Sequence, residues 1–175
     1  MRRLMLLRHA KSDWSSPGTR DRERTLAARG REAAPHIGAY MAAHALVPDL
    51  VVCSTADRAR QTWDLVAPAF SPAPRTIHDE RIYNAEHDAI LDVIKQTPDT
   101  VHALLVVGHN PGLKDLAEFM VATGDLEMRQ QLSEKLPTGA LVVIDFPVIR
   151  WERAKAHSGR LDRFITPRSL GEGDD

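Results

Sequence analysis

The chain has 175 residues, of which 43% are apolar and 27% charged, so it can bury a core of its own and is not a disordered segment. Its one cysteine, Cys53, excludes a disulfide framework and points to a reducing, cytoplasmic compartment. No apolar run reaches the roughly eighteen residues of a membrane span, and Met1–Leu7 is too short for a signal peptide.

The net charge is only −1, but its distribution is uneven. Residues 1–31 hold nine Lys/Arg against three Asp/Glu, and residues 77–127 hold three against ten. A cationic end on a nearly neutral domain attracts a small anion. A nucleic-acid partner is not expected, because the chain as a whole is not basic and no aromatics interleave with the arginines.

In chain order, Leu4–Leu7 is a continuous apolar run that predicts a buried strand. A polar loop follows from Ser12 to Arg24. Ala33, Ile37, Tyr40 and Met41 then recur at helical spacing, with Pro35 predicting either a kink or a helix start. Leu50–Cys53 is the second strand, and Ala59, Trp63 and Val66 mark a helix ending near Pro68. Thr76–His78 is a weak strand, and Ile90, Val93 and Ile94 mark another helix. Leu104–Val107 is the clearest buried strand, and Leu113, Leu116, Ala117, Met120 and Val121 line one face of a helix closed by Gly124. Leu141–Ile144 is a further strand. Trp151–Ala156 and Leu161–Ile165, split by Ser158-Gly159, read as a terminal hairpin. The pattern predicts an α/β fold with a mostly parallel sheet, mixed through an antiparallel edge supplied by that hairpin. Residues 1–170 read as one domain, and 171–175 as a loose tail.

Ligands of such sheets bind outside the carboxyl ends of the strands. Arg8-His9 follows the first strand, Ser54 to Arg58 the second, and Gly108-His109-Asn110 the strand at 104–107. The topology therefore brings Arg8, His9, Arg58 and His109 toward one crevice. Two guanidinium forks suit phosphate oxygens. A neutral imidazole can attack phosphorus, a second can donate to a phosphoryl oxygen, and the helix starting near Pro111 adds its positive end. The remaining six histidines lack this placement. No histidine or cysteine pair has zinc-like spacing, and the neighbouring arginines repel cations, so neither a metal nor another cofactor is expected.

These residues resemble the histidine phosphatase superfamily, which has the phosphoglycerate mutase-like fold. Leu7-Arg8-His9-Ala10 is similar to its Arg-His-Gly signature, with Ala10 in place of the usual glycine. The run Arg8 to Trp14 resembles the bacterial SixA-type phosphohistidine phosphatase branch. Ser54 with Arg58 to Thr62 resembles the second motif and Gly108-His109-Asn110 the third. Leu136 to Ala140, Trp151 and Phe164 to Leu170 extend the likeness over nearly the whole chain.

The resemblance implies a three-layer α/β/α sandwich and a metal-independent phosphatase. His9 would become phosphorylated, and Arg8, Arg58 and His109, with Asn110 beside them, would hold the phosphoryl group. Glu80 is the nearest match to the family's general acid, with Asp13 and Glu86 as weaker candidates; Lys11 either touches phosphate or is exposed. The expected substrate is a phosphohistidine-bearing protein. The alternatives are a phosphatase of a small phosphorylated metabolite, a mutase, and a non-catalytic phosphate-binding module. A nucleotide-binding domain lacks the Gly-rich loop it needs after the first strand. Oligomeric state is not readable from the sequence.

Overall fold

The computed structural model describes residues 1–171. Strand β1 (Arg2–Arg8) sends Leu4 and Leu6 to one face and Met5 and Leu7 to the other, and all four are fully buried. Each such side chain stabilises the fold by roughly 1.5–3 kcal/mol. A run apolar on both faces belongs inside a sheet. Accordingly β1 is flanked by β4 (Ala103–Gly108), parallel to it, and by β6 (Leu141–Phe146), antiparallel. Arg3 grips Asp145 across that antiparallel pair with bonds of 2.8 and 2.9 Å, which accounts for an aspartate in an otherwise apolar strand.

The full sheet runs β3-β2-β4-β1-β6-β7-β5. Here β2 is Leu50–Cys53, β3 Arg75–His78, β5 Val121–Gly124 and β7 Gly159–Ile165. Only β6 opposes the others in direction. Helices α1 (Ala28–Ala43) and α2 (Asp57–Val66) cover one face through Ile37, Met41, Trp63 and Val66. Helices α3 (His87–Lys95), α4 (Gly112–Met120) and α5 (Leu126–Glu134) cover the other through Ile90, Ile94, Leu113, Leu116 and Leu132. This is the expected three-layer α/β/α sandwich on a mixed sheet. Among the described residues no helix is long and apolar enough to cross a membrane.

Three expectations are corrected. The terminal hairpin does not form. Trp151 is fully buried with its indole N–H donating to the Val101 carbonyl at 2.7 Å, so Trp151–Arg153 folds as a short 3-10 turn. The partner of β7 is β6, and the antiparallel element is interior rather than at the edge. The helix expected to reach Gly124 ends at Met120, and Val121–Gly124 is the edge strand β5, followed by α5, which the reading missed. Helix α1 does not start at Pro35 but begins at Ala28 and runs through it. Pro35 is exposed and the buried face of Ala33, Ala34, Ile37 and Met41 holds the helix together, so tertiary packing outweighs the local break. The tail expected at 171–175 lies outside the described residues apart from Gly171.

Candidate active site

The hydrogen-bond ladder continues one residue beyond each central strand. His9 N–H donates to the Gly108 carbonyl at 3.0 Å and Ser54 N–H to that of Val107 at 2.9 Å. His9 and Ser54 are thereby held by backbone geometry at the carboxyl end of the sheet, and His109 follows directly on Gly108 there. The Gly139 N–H contacts the Arg8 and His9 carbonyls at 3.1 and 2.9 Å, capping the end of β1 from the other side. Gly139 has φ +74°, and a Cβ there would lie 2.9 Å from the Pro167 ring, so this position requires glycine.

A cleft of about 350 Å³ opens over these ends, and its lining includes Arg8, His9, Arg58, His109 and Asn110. A larger groove of about 590 Å³, between Lys135, Phe164 and Arg168, contains none of them. The rings of His9 and His109 are 5.3 Å apart. The buried His9 ring bonds the Ala10 carbonyl through Nδ1 at 2.7 Å. A carbonyl only accepts, so Nδ1 carries the proton and Nε2 keeps its lone pair. Burial, aided by the charges of Arg8 and Arg58, lowers the His9 pKa to about 4 despite the Ala10 bond.

His109 is fixed in the opposite sense. Its Nε2 is 2.7 Å from Ser54 Oγ, which already accepts the Ala56 N–H at 3.2 Å. Ser54 is fully buried and His109 Nε2 is the one acceptor the described residues offer its hydroxyl proton, so that proton goes to Nε2 and the ring proton resides on Nδ1. That Nδ1 is buried and has no partner in the protein. Burial, with the neighbouring His9 and Arg58, lowers the His109 pKa to about 3. Both imidazoles are neutral near pH 7, one presenting an acceptor and the other a donor.

Arg8 Nη1 and Asn110 Nδ2 both donate to the Leu136 carbonyl, at 3.0 and 2.9 Å. Arg58 is buried on the first turn of α2. Thr62, one turn on, accepts the Ala10 N–H at 2.9 Å and so ties the loop after β1 to that helix. Lys11 lies on the cleft wall and is exposed.

Glu80 is not brought to the cleft. It lies on the 3-10 turn Glu80–Ile82, is exposed, and is bound by Arg22 and by Thr55 at 3.2 Å. The hydrogen bond from Arg22 holds its carboxyl below the usual range. The residue of this segment that reaches the cleft is Asn84, whose positive φ of 46° turns the chain inward. Asp13 is engaged with Ser15, and Glu86 is exposed at the start of α3; neither lines the cleft.

The carboxylate that does line it is Asp21, which the sequence reading did not single out. Its only signal was an acidic residue within a basic loop. Burial pushes its carboxyl up, but hydrogen bonds from Tyr83, Arg58 and Asn84 outweigh that and hold it below the usual range. Among the described residues no cluster of His, Cys, Asp and Glu could hold a metal ion.

The family model of the histidine phosphatase superfamily (branch 1) matches residues 4–89. The uncharacterised protein Rv1276c of Mycobacterium tuberculosis is 37% identical over 140 residues, covering 79% of this chain and 85% of its own. A structure from Agrobacterium tumefaciens, provisionally named phosphohistidine phosphatase SixA, superposes with a TM-score of 0.81 at 32% identity, over 95% of this chain and 98% of that one. A similarly named structure from Nakamurella multipartitia gives 0.81 at 27% identity, over 95% and 96%. Sequence motifs, sheet order and relatives matched over most of their length agree, and the chain belongs to the histidine phosphatase superfamily.

Proposed function

We propose that this protein is a metal-independent phosphohistidine phosphatase acting through a phosphorylated His9. The observation that carries the reading is the Nδ1 bond of His9 to the Ala10 carbonyl, which leaves a lone pair on Nε2 in a cleft flanked by Arg8 and Arg58. Nε2 attacks phosphorus, and the bond to the substrate nitrogen breaks with its electron pair staying on that nitrogen. Water then attacks the phosphoryl group, and the electron pair of the P–N bond returns to Nε2. Asp21, an ionised carboxylate on the cleft wall, is placed to accept the proton that water gives up.

Charge on the transferring group is met by the two guanidiniums and by the unpartnered N–H of His109. The acid chemistry of the cleft supports this substrate class. Its one carboxylate among the described residues is held ionised and is a poor proton donor. An alkoxide leaving group needs such a donor, whereas a histidine ring protonated on its second nitrogen leaves without one. The names of the similar structures from Agrobacterium and Nakamurella agree with this class. Residues 1–170 would carry the activity as one unit, in a reducing compartment such as the cytoplasm.

Phosphoryl trapping tests the reading. After incubation with a labelled phosphohistidine protein and a base quench, label is expected on His9, stable to base, lost in acid and absent from His9→Ala. Hydrolysis with no label at His9 overturns the covalent route. Tight phosphate binding with no hydrolysis of any donor overturns the enzyme assignment.

A further inference from the structure

Trp14 is the one large aromatic side chain that the described residues leave mostly in solvent, at 62% exposure. It stands on the wall of the cleft that holds His9 and Arg58. Exposure here is not looseness. The indole N–H donates to Ser12 Oγ at 2.8 Å, and Ser12 is buried and bridged to Leu26. The next residue is anchored as well, with Asp13 N–H on the Thr25 carbonyl at 2.8 Å. The Arg24 guanidinium lies 4.0 Å from the ring centroid, over one face. With that face covered, the exposed area belongs to the opposite face and the ring edge.

This arrangement is costly. Arg24 keeps Nε and Nη1 buried without a hydrogen-bond partner, and the indole buries little of its own surface. Neither expense contributes to the core. A rigid, open aromatic face beside a phosphoryl site serves recognition instead.

We propose that Trp14 is the platform on which the ring of the departing group stacks, and that this ring is the imidazolium of a phosphorylated histidine side chain. The inference rests on the phosphatase reading and adds to it the residue that reads the leaving group. In-line transfer puts the leaving group on the side of phosphorus away from His9, toward the cleft mouth. A planar cation there gains both stacking and the attraction of the indole's negative face. The proton that makes the ring cationic also lets the P–N bond break to give a neutral imidazole. Trp14 thus favours the protonation state in which the substrate departs unaided.

The test compares a phosphohistidine peptide with phosphoramidate, a P–N donor without a ring. The quantity read is the ratio of their kcat/KM values in the full chain, in Trp14→Ala and in Trp14→Phe. In Trp14→Ala the ratio is expected to fall about tenfold, the scale of one aromatic stacking contact. The fall should be carried by KM on the peptide, and Trp14→Phe should recover most of it. A ratio unchanged in Trp14→Ala, or a loss equal on both donors, overturns the platform while leaving the phosphatase reading intact. Failure of the wild-type protein to hydrolyse either donor is instead the failure of that reading.

Discussion

Asp21 binds both terminal nitrogens of Arg58. Its backbone carbonyl accepts from Nη1 at 2.7 Å and its Oδ2 from Nη2 at 3.1 Å. The guanidinium is therefore aimed before any phosphate arrives, and an arriving anion must share Arg58 with a carboxylate.

That sharing predicts opposed effects for Asp21→Asn. Without the negative charge, inorganic phosphate should bind more tightly, with its competitive inhibition constant falling about tenfold, as expected for losing one close like charge. Turnover should fall at the same time by about 10²-fold, the lower range for loss of a proton acceptor. Steady-state kinetics with phosphate as inhibitor reads both numbers. An inhibition constant that does not move would show that Asp21 leaves Arg58 when phosphate binds.

Glu80→Gln should do little. The Glu80–Arg22 pair stands at the surface, where solvent screens it, so breaking it costs the fold little. Turnover of the phosphohistidine substrate should stay within about threefold of wild type, because Glu80 does not line the cleft and its loss removes no proton-transfer group there. A loss comparable to that in Asp21→Asn would return the acid–base role to Glu80.

Ser54→Ala removes the hydroxyl that sets the His109 tautomer. The proton is then free to move to Nε2, and the donor on Nδ1 is no longer guaranteed. Turnover should fall about 10- to 100-fold, the range seen when an orienting partner of a functional histidine is removed. Stability should fall by about 1–3 kcal/mol, because a buried ring nitrogen is left unsatisfied. Denaturant melts and kinetics measure the two effects separately.

The pH dependence follows from the two lowered histidines. His9 stays neutral down to about pH 4, so the acid limb of kcat/KM for an aryl phosphate should lie well below pH 6. A limb centred near 6.5 would show a solvated His9. Stability moves in the same direction. Both folded pKa values, about 4 and about 3, lie below the ordinary histidine value of 6.5. The unfolded chain therefore takes up protons first. The contribution is fully present above pH 6.5 and is lost as pH falls from there toward 4 and then 3. Urea unfolding at pH 7 and pH 5 should show the decline.

Parts of this molecule were plain in the sequence and others were not. Strands β1, β2, β4 and β6 were legible because each is buried on both faces and written as an unbroken apolar run. The edge strand β5 was not, because Val121 continues the apolar spacing of α4 and only the paired backbone of β7 ends the helix there. Helix α5 buries Leu132 alone and carries no periodic signal. At the site, Arg8, His9, Arg58 and His109 were legible because they sit at strand ends or on the turn after one. Asp21 and Asn84 reach the same cleft from loops whose path no local pattern encodes. Trp14 was visible only as a letter in a motif, since its exposure and its stacking on Arg24 exist only after folding.

The place of β1 in the sheet also sets when the site can exist. Its two neighbours are β4 and β6, which begin at residues 103 and 141. During synthesis β1, which ends at Arg8 just before His9, is made before either partner, and about a hundred residues separate it from β4. Helices α1 and α2 and strands β2 and β3 are complete before it can be enclosed. β1 is thus enclosed only after β6 has been made, and β6 in turn waits for β7. On the ribosome the strand ends that line the cleft cannot all be in register until β4 and β6 have both emerged.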